Sequence, residues 1–70
     1  MIKVTSMTNT DANENSYKVT LFADTKDEVA SATEIIGLPE DATIEMGSCV
    51  VTANAEVAFR KSDGTWNWVN

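Results

Sequence analysis

The sequence predicts a small, mainly β domain with a single antiparallel sheet, a meander of about five strands. Short segments alternate apolar and polar residues and are rich in β-branched and aromatic side chains, which is typical of half-buried strands. Residues that favour turns separate these segments. Seventy residues provide for one hydrophobic core, and we therefore expect residues 1–70 to form a single β-rich domain.

The amino-terminal third predicts two strands, Ile2–Thr5 and Tyr17–Leu21, because both segments alternate apolar and polar residues. Between them, residues 8–16 are rich in asparagine and aspartate. These side chains hydrogen-bond to the nearby backbone and favour turns. We interpret this stretch as a loop.

The segment near residues 25–34 leaves a short helix and an irregular loop open as alternatives. Thr25 and Glu28 have the spacing of a capping box. Apolar residues follow at roughly helical spacing, namely Val29, Ala32 and Ile36. Pro39 ends any regular element that precedes it, because proline has no amide donor and restrains the residue before it.

The carboxyl-terminal third has the clearest strand pattern. A short strand at Thr43–Glu45 is followed by a three-stranded meander, Cys49–Thr52, Glu56–Lys61 and Thr65–Val69. Asp63-Gly64 predicts a two-residue hairpin loop, in which both residues need a positive φ. Counting outwards from that loop places four apolar residues on one face of the sheet: Val57, Phe59, Trp66 and Trp68.

A candidate interaction surface consists of Trp66, Trp68, Phe59 and Lys61. Aromatic side chains dominate the energetics of protein interfaces, and the last strand of a chain can be an exposed sheet edge. In the predicted register, Lys61 lies over Trp66 at the rim. The alternative is that both tryptophans belong to the core, since their rings have a large area to bury.

The charge of the chain excludes some classes of partner. Eleven acidic and five basic residues give a net charge of −6, spread from Asp11 to Asp63 without a run of like charges. Such a surface repels phosphate, so we expect no direct binding to nucleic acid. Apolar runs of at most three residues predict no membrane span, and the amino terminus shows no secretion signal.

The residues needed for catalysis or metal binding are largely missing. The sequence contains no histidine and only one cysteine, Cys49, which we interpret as a small buried apolar residue. Asp11–Asn15 resembles the opening of a calcium loop, but Ser16 and Phe22 replace the glycine and glutamate that such a loop requires. We therefore expect no enzyme, cofactor, metal or small-molecule substrate. A homo-oligomer is expected instead, because so short a chain gains stability from buried surface between copies.

About half of the chain resembles small proteins encoded by bacterial phages and prophages. The resemblance is carried by Gly37-Leu38-Pro39, Gly47-Ser48-Cys49, Glu56-Val57-Ala58-Phe59 and the closing segment Ser62–Val69. It carries over no site residues. It implies a virion-associated structural or accessory role in a head or tail, with other phage structural proteins as partners and the bacterial cytoplasm or the virion as location. The alternative hypothesis is an acidic inhibitor that occupies a nucleic-acid-binding surface on a host protein.

Overall fold

The computed structural model describes residues 1–9, 15–31 and 34–69. These residues form a mainly β fold, which confirms the predicted class. The strands are β1 (Ile2–Asn9), β2 (Ser16–Ala23), β3 (Thr43–Ile44), β4 (Cys49–Thr52), β5 (Val57–Arg60) and β6 (Trp66–Trp68). Within the described ranges there is a single helix, α1 (Lys26–Ala30), which lies between β2 and β3.

All six strands belong to one sheet, which is mixed rather than purely antiparallel. Its order is β1-β2-β4-β5-β6, and β3 also pairs with β2. The pairs β1/β2, β4/β5 and β5/β6 are antiparallel, whereas β2 pairs in parallel with β3 and β4. The connection of residues 24–48 is long enough to return the chain to the same end of the sheet, as parallel pairing requires.

One face of the sheet, here called the core face, is covered by this connection. The buried apolar residues are Ile2, Val19, Leu21, Ala23, Val29, Val50 and Ala58. Val29 comes from α1, and Ile35, Leu38 and Ile44 from the rest of the connection pack against the same cluster. The core therefore lies between the sheet and the connection.

The helical alternative for residues 25–34 is confirmed in part. Thr25 is the N-cap of α1, and its Oγ1 accepts a hydrogen bond from the Glu28 amide at 3.2 Å. The helix ends at Ala30, before the predicted limit, and residues 32–33 lie outside the described residues. A helix of five residues is too short to be stable alone, so its packing through Val29 matters more than helix propensity.

The predicted loop over residues 8–16 is shorter in the structure. Asn9 ends β1 and Ser16 begins β2, while residues 10–14 lie outside the described residues. β1 carries a β-bulge at Thr5, where the register shifts by one residue: Val4 pairs with Leu21 and Ser6 with Thr20. Beyond the bulge the alternation of β1 is reversed, so that Met7 instead of Ser6 or Thr8 stands opposite the core residue Val19, and this end of β1 is exposed.

The register predicted for the β5–β6 hairpin is wrong by one residue. Arg60 pairs with Trp66 and Ala58 with Trp68. The loop has three residues instead of two: the Lys61 amide donates to the Thr65 carbonyl at 2.8 Å, and the Gly64 amide donates to the Lys61 carbonyl at 3.1 Å. Gly64, at φ 86°, occupies the left-handed position that ends such a loop.

Because successive side chains point to opposite faces of a sheet, the shift of one residue places every side chain of β6 on the other face of β5 from the one predicted. Trp66 and Trp68 share the core face with Ala58 and Arg60. Phe59 points to the opposite face, where it pairs with Asn67. The single face of four apolar residues predicted from the sequence therefore does not exist.

Candidate functional site

The two tryptophans of the predicted interaction surface are half-buried and pack against the core cluster. Each indole ring is also covered by a cation. Arg60 lies over Trp66, with 5.1 Å from its guanidinium carbon to the ring centroid, and Lys26 Nζ lies 4.8 Å from the centroid of Trp68. Both tryptophans thus lie at the border of the core, packed against the buried cluster and partly exposed to solvent.

The other two predicted residues lie elsewhere. Lys61 is exposed, and its Nζ is 3.9 Å from Asp63 Oδ2 rather than over Trp66. Phe59 is 46% exposed on the opposite side of the sheet from the tryptophans. The structure thus separates the four predicted residues, and only Phe59 belongs to the surface described next.

The second face of the sheet, here called the outer face, contains two rows of residues that cross the strands. In the first row, Lys3 pairs with Phe22, Phe22 with Val51, and Val51 with Val57. Val69 continues the row, because its amide donates to the Val57 carbonyl at 2.9 Å. Four apolar side chains therefore stand side by side across the sheet, with a lysine at one end.

The second row runs beside the first and is more polar at its ends. In register, its members are Ser6, Thr20, Cys49, Phe59 and Asn67. Cys49 is half-buried, and its Sγ lies 3.7 Å from Thr20 Oγ1. Phe59 stands directly beside Cys49, so the apolar part of the second row adjoins the first row at the centre of the sheet.

This apolar surface is open to solvent in the described structure. Phe59 and Val69 are 46% and 57% exposed, and Phe22, Val51 and Val57 are half-buried. None of these five side chains belongs to the core cluster or to the residues packed against it. A sheet with one covered face normally carries polar residues on the other, so an apolar outer face is unusual.

Sequence reasoning overlooked the outer face, although a signal was present. Leu21-Phe22-Ala23, Cys49-Val50-Val51 and Val57-Ala58-Phe59 are apolar runs instead of alternating segments. Such runs are typical of strands with apolar side chains on both faces. The runs occur in β2, β4 and β5, which are the three neighbouring strands at the centre of the sheet.

Charge is distributed very unevenly between the connection of residues 24–48 and the rest of the chain. Residues 24–48 contain seven acidic residues and one lysine, which gives −6, while four acidic and four basic residues balance in the rest of the chain. The acidic residues looked dispersed in the sequence, but most belong to the one connection that covers the core face. The strand positions of the outer face carry Lys3 and Lys18. Glu45 directly follows β3 and continues it beside Lys18, since its amide donates to the Tyr17 carbonyl at 2.8 Å.

The described residues show little that could perform chemistry. They contain no group of three or more histidine, cysteine, aspartate or glutamate side chains placed to hold a metal ion. A cavity of about 380 Å³ lies beside the connection; its lining comprises Glu34, Ile35, Leu38, Pro39, Glu40, Asp41 and Ala42. Its lining has acidic and apolar side chains and no hydroxyl, thiol, lysine or arginine.

The described residues form a small mixed sheet with one apolar face covered by the connection and one apolar face open to solvent. No protein-family model, curated protein or solved structure matches the chain. None of the described helices is long and apolar enough to cross a membrane.

Proposed function

We propose that this chain is a non-enzymatic structural or accessory protein that acts through protein–protein contacts made by the outer face. The observation that carries the proposal is the row of Phe22, Val51, Val57 and Val69, which crosses β2, β4 and β5 and ends at the residue after β6, with Phe59 beside it. The partner that fits this row is a second protein surface that is itself open and apolar.

Burial of the apolar side chains of the outer face would provide enough free energy for association. Complete burial of one large apolar side chain contributes roughly 1.5–3 kcal/mol. Phe59 and Val69 are about half exposed, so covering them and their three half-buried neighbours would provide several kcal/mol in favour of a complex. The row lies on paired strands of one sheet, so little conformational entropy is lost when a partner binds.

The assembly that we propose is a phage head or tail, with the chain present in the bacterial cytoplasm before incorporation. Support comes from the resemblance of Gly37–Pro39, Gly47–Cys49, Glu56–Phe59 and Ser62–Val69 to small phage and prophage proteins. Three of these segments include outer-face residues, namely Cys49, Val57, Phe59 and Val69.

The test is mass spectrometry of particles purified after induction of the prophage that encodes the chain. We expect the chain at a fixed ratio to the major particle proteins through successive gradient purifications. An abundant cytoplasmic protein of the host serves as the carry-over control, and its ratio should fall at each step. A chain that is lost together with this control would overturn the structural role.

A second candidate function is the acidic inhibitor of a host nucleic-acid-binding protein. The observation that favours it is the net charge of −6 on residues 24–48, with a neutral remainder. Binding to a basic protein surface would then weaken steeply with salt. Glu34→Lys and Glu40→Lys, both at exposed positions, should abolish this binding, while Phe59→Ser should leave it unchanged. The opposite pattern would exclude the inhibitor.

A further inference from the structure

We propose that the partner on the outer face is a second copy of this chain, so that two sheets pack face to face about a two-fold axis near Cys49. This inference rests on the proposed function, since it names the occupant of the same surface. The resulting dimer has four layers: connection, sheet, sheet and connection. Each copy contributes the same patch, as an interface with two-fold symmetry requires.

The distribution of charge favours this choice of partner. Two copies that approach through their connections would bring net charges of −6 against each other. Two copies that meet through their outer faces place most of these charges on opposite sides of the dimer, and the two rows of residues that form the interface contain no carboxylate. Self-repulsion thus directs association to the outer face.

The position of Cys49 follows from the order of the strands. β4 is the middle strand of β1-β2-β4-β5-β6, and Cys49 stands at the middle of the second row, between Thr20 and Phe59. A two-fold axis through the centre of the outer face therefore passes close to this residue. Stacked sheets lie about 10 Å apart, so the two copies of Cys49 are covered by the interface without being close enough for a disulfide.

The size of the molecule sets the expected strength of the dimer. Its two larger extents are 36 and 22 Å, so no flat face exceeds roughly 800 Å², which is about what one partner buries in a standard interface. The dimer must use nearly the whole outer face to reach that area. We therefore expect a dissociation constant of about micromolar order, with monomer and dimer both present in dilute solution.

The experiment combines sedimentation equilibrium with the alkylation rate of Cys49, which is the single cysteine of the chain. The wild-type chain should dimerise. At a protein concentration about ten times the dissociation constant, some four-fifths of the copies are paired, and the alkylation rate should fall by about fivefold. Phe59→Ser should stay monomeric with a constant alkylation rate, and Lys61→Ser, another exposed position on the same hairpin, should behave like wild type.

Two results would overturn the dimer. One is a wild-type chain that stays monomeric at millimolar concentration. The other is a dimer in which the alkylation rate of Cys49 does not change with concentration, because the outer face would then be free. If the pure chain is monomeric and Phe59→Ser still excludes it from particles, the inference fails while the proposed function stands. Circular dichroism of both variants verifies that they fold.

Discussion

The Oγ of Ser48 accepts a hydrogen bond from the backbone amide of Val19 at 2.9 Å in the interior of the protein. This bond bridges a gap in the sheet. β2 pairs first with β3 and then with β4, and Val19 lies where β3 has ended and β4 has not yet begun. The serine side chain therefore replaces, at this one position, the backbone carbonyl that a continuous strand would provide.

Ser48→Ala should destabilise the protein by about 1–3 kcal/mol, because it leaves the buried Val19 amide without an acceptor. For a domain of this size, that change lowers Tm by at least about 4 °C. Thermal unfolding followed by circular dichroism measures it. Ser62→Ala, at an exposed loop position, should stay within about 0.5 kcal/mol of wild type. Equal Tm values for the two variants would contradict this role of Ser48.

A glycine at position 55, in the loop between β4 and β5, should stabilise the protein. The Ala55 amide donates to the Thr52 carbonyl at 3.1 Å, and Ala55 has a φ of 64°, in the region where a Cβ is unfavourable. Ala55→Gly should raise the free energy of unfolding by about 0.5–1 kcal/mol, as measured by urea denaturation. Ala53→Gly in the same loop should lower it, since the φ of Ala53 is not positive. Stabilisation by both variants would refute the explanation by backbone strain.

Asp63 should titrate at low pH because of Thr65. The Oγ1 and amide of Thr65 both donate to Asp63 Oδ1, at 2.6 and 3.0 Å, and these bonds lower the pKa of the carboxyl below its ordinary value. The folded pKa is thus below the unfolded one. The stabilisation that the ionised Asp63 carboxylate provides is therefore present above the pKa of the unfolded state and is lost as the pH falls through the pKa of the folded state.

A titration of the Asp63 carboxyl carbon by NMR measures this pKa. Thr65→Val removes the hydroxyl donor, which is the larger cause, and should raise the midpoint towards that of an ordinary aspartate. Ser62→Ala leaves both donors of Thr65 in place and should leave the midpoint unchanged. A midpoint in the wild-type chain at or above the ordinary value would disprove the assignment.

Lys26 should stabilise the packing of α1 through two partners. Its Nζ lies 4.8 Å from the Trp68 centroid and 3.7 Å from Glu56 Oε2. Lys26→Met keeps the aliphatic stem and removes the charge, so we expect a loss of about 0.5–1 kcal/mol in urea denaturation followed by tryptophan fluorescence. Lys61→Met, which changes an exposed lysine, should cost less. A larger loss for Lys61→Met would rule out the role given to Lys26.

The strands of this fold could be predicted because their signals are local. Alternation in Tyr17–Leu21 and the turn residues around Gly64 indicated β2 and the last hairpin. The register of that hairpin could not be predicted, since a three-residue loop and a two-residue loop both suit Asp63-Gly64. That difference of one residue decided whether Trp66 and Trp68 joined Phe59 on one face.

The parallel pairing of β2 with β4 depends on contacts between residues far apart in sequence, such as Leu21 with Val50, and no local pattern encodes it. The outer face depends on the same pairing, since it exists only once Phe22, Val51 and Val57 are aligned. Apolar runs in the sequence indicated strands with two apolar faces. They did not indicate which residues would stand together or that the face would be open.

The most direct test of the account is a competition between wild-type chain and Phe59→Ser for incorporation into particles. Both carry distinguishable tags and are expressed together during prophage induction, and their ratio is measured in the lysate and in purified particles. We expect Phe59→Ser to be depleted at least about tenfold in particles, equivalent to about 1.4 kcal/mol, while Lys61→Ser is incorporated like wild type. Equal ratios of Phe59→Ser to wild type in lysate and particles would contradict a function of the outer face in assembly.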